Sequence, residues 1–226
     1  MEYPNDIVTE ASRLLLGKGI RVLQGNRLAD TEEAHLDALS RYMELNGERD
    51  VADMGCGFGE VSWRLGAKLP EARFWLINRN PFQLEYCPQG DRYIRRLEDM
   101  CATSIPGAAM DLTMFNYSLC HVEPVAALEE AARITRRGGK LFVYDYQRVS
   151  GDNDLTEKVL SARFMNDEEF RVHAAASGWR DIETISPGGN DKLFREAVND
   201  AALYDEIFQH LRPVIWRARR DEEPRR

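Results

Sequence analysis

The first 48 residues carry apolar side chains at helical spacing, in two separate stretches. Apolar residues recur every three or four positions over 7–16 and again over 31–45, which predicts two amphipathic helices. Glycines at 17–19 and the run Gln-Gly-Asn at 24–26 break the pattern between them. We therefore predict a helical cap or lid over residues 1–48, with a bendable connection between its helices.

From residue 50 the pattern changes to short apolar runs that alternate with helical stretches. The runs predict strands at 51–54, 73–77, 92–94, 112–116, 140–144, 180–185 and 213–217. The helical stretches fall at 60–68, 81–87, 125–135, 167–177 and 199–210. We expect Gly138 and Gly139 to end the third of these helices in a left-handed turn. Such alternation is typical of an α/β protein with a largely parallel sheet and helices on both faces.

The composition is that of a folded globular protein, with 43% hydrophobic and 30% charged residues among 226. The net charge of -8 argues against a chain that holds nucleic acid mainly by neutralising phosphates. No apolar run approaches the roughly 20 residues that a membrane span needs, and the first ten residues lack the features of a signal peptide. We expect a cytoplasmic protein that acts on a small molecule, without a nucleic-acid or membrane partner.

The four cysteines are spread along the chain without a C-x-x-C pair. Their spacing indicates neither a zinc site nor a disulfide framework. We interpret them as reduced residues that pack as small hydrophobes. The histidines outside the predicted active-site loop, His35, His173 and His210, are interpreted as ordinary surface or packing residues.

A glycine-rich run, Asp53-Met-Gly-Cys-Gly-Phe-Gly59, follows a predicted strand and opens a predicted helix. Glycine permits positive φ and a close backbone approach to a ligand, and the amides at a helix start favour polar or anionic groups. The spacing differs from the G-x-G-x-x-G of dinucleotide enzymes, and no G-x-x-x-x-G-K-[ST] is present. We therefore expect a cofactor here rather than a ligand-free turn, and pyrophosphate binding is the weaker interpretation.

The segment Val51-Ala-Asp-Met-Gly-Cys-Gly-Phe-Gly59 resembles the first motif of the class I S-adenosylmethionine-dependent methyltransferases. Residues 109–122 are similar to the family's fourth strand and the loop after it, and residues 127–145 to its next helix and fifth strand. Residues 165–170, together with Ser177-Gly-Trp179, resemble the helix that leads into the sixth strand.

This resemblance extends over about residues 49–185. It implies a Rossmann-like fold whose seven-stranded, mostly parallel sheet has an antiparallel last strand. We place a methyltransferase domain at 49–220, followed by a solvated tail at 221–226.

The resemblance implies S-adenosylmethionine as the cofactor and S-adenosylhomocysteine as its product. In the family the glycine loop lies against the methionine part of the cofactor. The residues at those positions are Asp53, Gly55, Cys56, Gly57 and Gly59. An acidic residue that ends the second strand binds the ribose hydroxyls in the family, and Asn78 occupies this position here.

The segment Asn78-Arg-Asn-Pro-Phe-Gln83 is similar to a subgroup that contains sterol, terpene and cyclopropane-forming carbon methyltransferases. The similarity implies Asn78 as a ribose contact and Arg79 and Gln83 as neighbours of the cofactor. For Gln83 a surface position on a helix is an equal alternative.

The adenine pocket departs from the family pattern, because Arg96 stands where the family has an acid. The backbone amide of Leu97 is one alternative contact to adenine. The side chain of Glu98, or of Asp99, is another if the register shifts by two residues.

Methyl transfer from a sulfonium is an in-line displacement in which the protein aligns the partners and removes a proton, so it requires no metal. Ligands in such sheets bind beyond the carboxyl ends of the strands, which selects Asn116, Tyr117 and His121 after the fourth strand. We assign Asn116 to the cofactor and Tyr117 and His121 to catalysis, with His121 as a general base. An orienting role is the alternative for His121. Asp145 is a candidate for orienting a substrate amine or hydroxyl, or else a solvated carboxylate.

The resemblance implies a methyltransferase that modifies an oxygen, nitrogen or carbon atom of a small molecule, with a specialised metabolite as the expected acceptor. The subgroup often has a glutamate near position 117, so Tyr117 weakens a terpene-like carbon mechanism. The alternative is a non-catalytic cofactor-binding or partner subunit. Nucleic-acid methylation lacks its Asn-Pro-Pro-Tyr motif. The sequence leaves open whether the chain forms a homodimer.

Overall fold

Short helices and strands alternate along the computed structural model, which describes residues 5–22, 24–151, 161–192, 195 and 201–221. The helices are α1 (Asn5–Gly17), α2 (Glu32–Tyr42), α3 (Glu60–Lys68), α4 (Pro81–Glu85), α5 (Pro124–Ile134), α6 (Asp167–Ala176) and α7 (Ala201–Phe208). The strands are β1 (Asp50–Met54), β2 (Arg73–Asn78), β3 (Tyr93–Leu97), β4 (Met110–Asn116), β5 (Thr135–Arg148), β6 (Trp179–Ile185) and β7 (Leu211–Arg220).

The strands form one seven-stranded sheet in the order β3-β2-β1-β4-β5-β7-β6. The pairs from β3 through to β5 are parallel, and β7 lies antiparallel between β5 and β6. The Rossmann-like α/β prediction, with an antiparallel last strand, is confirmed. Because strand order reverses between β1 and β4, their carboxyl ends open a crevice in which ligands bind in sheets of this kind.

One predicted helix end is wrong. Helix α5 ends at Ile134, and Gly138, with φ of 69°, lies inside β5. The reason is an irregularity in the pairing of β4 with β5. Met110 pairs with Thr135 but Leu112 pairs with Lys140, so β5 contains extra residues at this point. Gly138 therefore serves a bulge in a strand and not a helix cap.

The predicted cap shares the core of the sheet. Leu36 and Leu39 of α2 belong to the same buried apolar cluster as Val51 and Phe74 of the central strands. Helix α2 begins where the Thr31 hydroxyl accepts from the amide of Ala34. A second buried apolar cluster covers the opposite face of the sheet, beneath α5 and α6.

The connection between α1 and α2 is buried. Residues 24–27 are all buried, although they were predicted to be a bendable connection. The amide of Arg27 donates to the carbonyl of Asn190 at 2.7 Å, and the amide of Asn190 donates back at 2.7 Å. This bridge joins the N-terminal segment to the region between β6 and α7.

The C-terminal strand is longer than predicted and runs to Arg220. The predicted tail at 221–226 falls outside the described residues, apart from Asp221. None of the helices in the described part of the chain has the length and apolar character needed to span a membrane.

Candidate active site

The glycine loop connects β1 to α3 in a conformation that requires glycine. Gly55, Gly57 and Gly59 have φ of 80°, 56° and 73°, and Gly59 precedes the first turn of α3. A Cβ on Gly55 would lie 2.5 Å from the Cβ of Ser118, and one on Gly59 would lie 2.7 Å from Cδ of Pro88. The loop backbone is therefore packed closely against its neighbours, and a side chain at Gly55 or Gly59 has no room.

Asn78, at the end of β2, holds this loop in place. Its Nδ2 donates to the carbonyl of Gly57 at 3.3 Å and to Oε1 of Gln83 at 2.8 Å. Its Oδ1 accepts from the amide of Asn80 at 3.0 Å. The amide side chain thus makes contacts that an acid could not make, because a carboxylate has no proton to donate.

Gln83 lies in the interior, so the surface alternative for this residue is wrong. It is 4% exposed, and its Nε2 donates to Oγ of Ser12 at 2.8 Å. The Asn80 side chain caps α4 by accepting from the amide of Gln83 and also donates to Oγ1 of Thr9. Helix α1 is therefore tied to the end of β2 through two hydrogen bonds.

A cavity of about 230 Å³ lies over the glycine loop at the carboxyl ends of β1, β2 and β4. It brings together most of the predicted site residues. Those that line it are Asp53, Gly55, Cys56, Gly57, Asn78, Arg79, Gln83, Asn116, Tyr117 and His121. Gly59, Leu97 and Glu98 are not part of this lining.

Leu97 and Glu98 make contacts outside the cavity lining. Leu97 is 61% exposed. The Glu98 carboxylate accepts from the amide and hydroxyl of Ser104, at 2.8 and 2.6 Å. Met100 lines the cavity instead. The sequence does not show which residue after β3 reaches the cavity, because Asn78 pairs with Leu97 and the chain turns immediately after that pair.

Two polar side chains at the end of β4 are buried without a partner in the described part of the structure. Both amide atoms of Asn116 and the hydroxyl of Tyr117 are inaccessible to solvent and make no hydrogen bond. Tyr117 also has a φ of 54°, which is rare outside glycine. Unsatisfied groups and a strained backbone in one cavity are typical of a functional site.

Tyr117 is a neutral phenol. Burial raises its pKa well above the ordinary value, and the neighbouring tyrosines Tyr146 and Tyr144 add to the effect. The ring contacts Tyr144 and Tyr146 edge to face, with centroids 4.8 and 5.1 Å away. A phenol held in this form donates a hydrogen bond rather than accepting a proton.

His121 ends a short 3-10 turn, Leu119–His121, that follows β4. Its Nδ1 lies 3.2 Å from the carbonyl oxygen of Ser161. Because a carbonyl only accepts hydrogen bonds, Nδ1 carries a proton in this contact. In the neutral ring, Nε2 is then the nitrogen with a free lone pair.

Asp145 supports the turn that carries His121 and does not face the crevice as a solvated carboxylate. It is 2% exposed, and its two oxygens accept from the amides of Cys120 and Tyr146, at 3.1 and 2.8 Å. Burial raises its pKa, while these amides and the charge of His121 act in the opposite direction. Strand β5 continues past it to Arg148, so Asp145 is not at a strand end.

Burial also raises the pKa values of two further groups of the lining, Asp53 and Cys56. Burial raises the pKa of Asp53 to about 7, while the hydroxyl of Ser62 donates to its Oδ2 at 2.6 Å. Burial also raises the pKa of the Cys56 thiol, whose sulfur lies 3.8 Å from that of Cys87. The four cysteines are free. No group of three His, Cys, Asp or Glu side chains in the described ranges is placed to hold a metal ion.

Several lining residues were not predicted. They are Val8, Arg21, Val22 and Gln24 of the N-terminal segment, and Phe58, Glu60, Val61, Met100, Ser118 and Ser161 elsewhere. Arg21 reaches across to Glu60 in the first turn of α3 and donates to the carbonyl of Tyr86 at 2.8 Å. The N-terminal segment thus forms a second wall of the cavity. In the sequence this wall is visible only as a polar run, and such a run is equally typical of a loop.

Comparison with known proteins agrees with this architecture. Residues 52–143 match the family model described as a methyltransferase domain. A malonyl-[acyl-carrier protein] O-methyltransferase of Hahella chejuensis is 31% identical over 97 residues, 41% of this chain and 35% of that protein. An uncharacterised methyltransferase of Mycobacterium tuberculosis is 29% identical over 123 residues, 54% of this chain and 62% of the relative. The chain therefore matches about a third and about three fifths of these relatives.

Solved structures share the fold over almost the whole chain. The [4+2]-cyclase SpnF superimposes with a TM-score of 0.78 and 19% identity, covering 97% of this chain and 95% of that one. Geranyl diphosphate C-methyltransferase of Streptomyces coelicolor A3(2) superimposes with a TM-score of 0.75 and 14% identity, covering 97% of this chain and 98% of that one. Residues 52–143 are thus similar to a methyltransferase domain, and the seven-stranded fold around them is the one that these solved structures share.

Proposed function

We propose that this chain transfers a methyl group from S-adenosylmethionine to a small-molecule acceptor. One observation carries the proposal: a single cavity joins the glycine loop to Tyr117 and to His121. A cofactor held over the loop would thus lie beside a phenol and an imidazole. The named methyltransferase relatives and the family domain support the same reaction class.

The residues of the crevice fit the cofactor. Gly55 and Gly57 present backbone without side chains to the cavity, and Asn116 has an amide with no other partner in the described structure. We propose that these residues, with Asn78 at the end of β2, hold the cofactor. When bound, it supplies an electrophilic methyl group on a sulfonium.

His121 is proposed to accept the proton of the acceptor. Its Nδ1 is engaged by Ser161, so Nε2 takes the proton from an acceptor hydroxyl or amine as the bond to the methyl carbon forms. The Tyr117 phenol donates a hydrogen bond that orients the acceptor. The acceptor's heteroatom would lose its proton to His121 and gain the methyl group while the bond from methyl carbon to sulfur breaks, with S-adenosylhomocysteine as the leaving group. This role of His121 favours oxygen or nitrogen methylation.

As the structure has it, the cavity is too small to hold a cofactor and an acceptor together. At about 230 Å³ it lies below the roughly 300–1,000 Å³ of ordinary ligand pockets. We propose that the segment around Arg21 acts as a lid that moves outward to admit ligands. The four free cysteines support a reducing, cytoplasmic setting.

Isothermal titration calorimetry with S-adenosylhomocysteine tests the cofactor assignment. We expect binding at submillimolar concentration, and its absence would overturn the proposal. Methyl transfer to a panel of phenols, carboxylic acids and amines then tests turnover, with His121→Gln expected to lose activity and His173→Gln on α6 as the matched control. Cofactor binding without transfer to any acceptor would favour a non-catalytic cofactor-binding subunit.

A further inference from the structure

Gln24 lies in the N-terminal wall of the cavity. It is 6% exposed, and the cavity lining includes it together with the glycine loop. Its surroundings determine which end of its amide faces the cavity, because a histidine behind it fixes the orientation.

The chain of hydrogen bonds begins at the backbone. The amide of Leu28 donates to Nδ1 of His35 at 3.0 Å, so Nδ1 must carry a lone pair. The single proton of a neutral ring is then on Nε2, and Nε2 donates to Oε1 of Gln24. The oxygen of Gln24 is therefore turned toward His35, and its Nε2 is turned away from it.

His35 is neutral, as this arrangement requires. It is fully buried, and burial lowers the pKa of its ring to about 4, with a smaller contribution from the positive charge of Arg27. A protonated ring could not accept from Leu28, so the neutral form and the hydrogen bonds agree.

The amide nitrogen of Gln24 has no hydrogen-bond partner among the described residues, and the cavity is the space open to it. This amide donor is therefore available to an acceptor oxygen of a ligand in the cavity. The opposite wall is the glycine loop and the start of α3, where helix geometry favours an anion. The acidic side chains nearby do not compete, because Glu60 is paired with Arg21 and the pKa of Asp53 is raised.

We infer that Gln24 donates a hydrogen bond from Nε2 to the carboxylate of the amino-acid portion of the cofactor. This inference rests on the proposed function. Of the charged groups of S-adenosylmethionine only the carboxylate is an anion, so it is the group that a donor facing a helix start selects. Leu28 and His35 act as positioning residues, because they fix the tautomer and thereby the direction of the Gln24 amide.

Calorimetry with two matched ligands tests the inference. The ligands are S-adenosylhomocysteine and its analogue that lacks the carboxylate. We expect Gln24→Ala to weaken binding of S-adenosylhomocysteine by about 10- to 100-fold and to leave binding of the analogue unchanged. Gln24→Glu should weaken binding of S-adenosylhomocysteine further, because the new carboxylate would face the carboxylate of the ligand. Gln209→Ala, at an exposed glutamine, is the matched control and should change neither.

The outcomes separate this inference from the proposed function. If the wild-type chain binds neither ligand, the proposed function fails and the inference with it. If the wild type binds S-adenosylhomocysteine and Gln24→Ala binds it equally well, or loses both ligands equally, only the inference is overturned. In the unmutated protein, nitrogen-15 NMR should show the Nε2-protonated tautomer of His35. It should also show a shift of the Gln24 side-chain amide with S-adenosylhomocysteine and none with the analogue.

Discussion

The two walls of the cavity are built in different ways. The strand-end wall consists of the glycine loop and the residues directly after β2 and β4, so its geometry follows from short stretches of sequence. The N-terminal wall, residues 21–22 and 24–27, is held by partners far along the chain. Asn26 donates to the hydroxyl of Tyr144 at 2.8 Å, and Arg27 pairs with Asn190. The glycine loop is a local sequence motif. The polar N-terminal segment completes the cavity, and contacts that form only on folding hold it in position.

The two walls also differ in what stabilises them. The strand-end wall depends on close backbone packing, as the contact between Gly55 and Ser118 shows. The N-terminal wall depends on buried hydrogen bonds, which favour one arrangement because a broken bond leaves a polar group unpaired. Substitutions should therefore affect the first wall through steric clashes and the second through lost partners.

The largest effect is expected from removing the N-terminal wall. Deletion of residues 1–30 removes Val22 from the apolar cluster and leaves the hydroxyl of Tyr144 without Asn26. We expect the free energy of unfolding in urea to fall by more than about 3 kcal/mol. Deletion of residues 1–17 alone, which removes α1, should cost less. Equal costs for the two deletions would show that residues 22–27 contribute nothing to the fold.

The strand-end wall should respond to one methyl group. In Gly55→Ala the new Cβ would meet the Cβ of Ser118 at 2.5 Å in a backbone with φ of 80°. We expect a loss of about 2–4 kcal/mol in unfolding free energy and a loss of affinity for S-adenosylhomocysteine. Gly47→Ala has similar φ and no atom within 4 Å, so it is the control and should cost about 1 kcal/mol. A similar cost for both would exclude the steric explanation.

An acid at the end of β2 should damage this chain. Asn78→Asp replaces the Nδ2 donor by an oxygen facing the carbonyl of Gly57 and Oε1 of Gln83. We expect a loss of about 1–3 kcal/mol in stability and weaker binding of S-adenosylhomocysteine by calorimetry. Tighter binding with unchanged stability would instead mean that the ribose contact outweighs the support of the loop.

The smallest effect is expected at the anchor of the N-terminal wall. Tyr144→Phe removes a hydroxyl that accepts from Nδ2 of Asn26 and donates to its carbonyl at 3.0 Å. We expect a loss of about 1–2 kcal/mol in urea unfolding, since the Asn26 side chain and carbonyl each lose a buried hydrogen bond, while Nδ2 of Asn26 keeps only the longer contact to the carbonyl of Gly188 at 3.4 Å. Tyr86→Phe, at a partly exposed tyrosine, should change the stability little. If Tyr144→Phe were as stable as Tyr86→Phe, the buried hydrogen bonds would not be what stabilises the N-terminal wall.

The fold was predictable to the extent that each element carries its own pattern. Each predicted strand is present, and the central parallel strands β1, β2 and β4 are the clearest because buried parallel strands have continuous apolar runs. The position of Gly138 was not predictable, because an irregularity of pairing depends on the neighbouring strand. The motif around Gly55 was predictable because its positive φ values require glycine at these positions, whatever the neighbouring strands do.

The candidate site was predictable on one wall only. Asn116, Tyr117 and His121 follow from the rule that ligands bind at the carboxyl ends of strands, and they do line the cavity. Gln24 and His35 could not be found, because a polar run before a helix looks the same whether it is solvated or buried. Their pairing is fixed by tertiary contacts and by a tautomer that no pattern encodes.

The contact between Gly55 and Ser118 has a consequence for protein engineering. Ser118 also donates to the carbonyl of Met54 at 2.5 Å, and it begins the turn that carries His121. The loop proposed to hold the cofactor and the turn proposed to hold the base are therefore one connected unit. Efforts to alter acceptor preference should leave this unit intact and diversify the lining around Ser161.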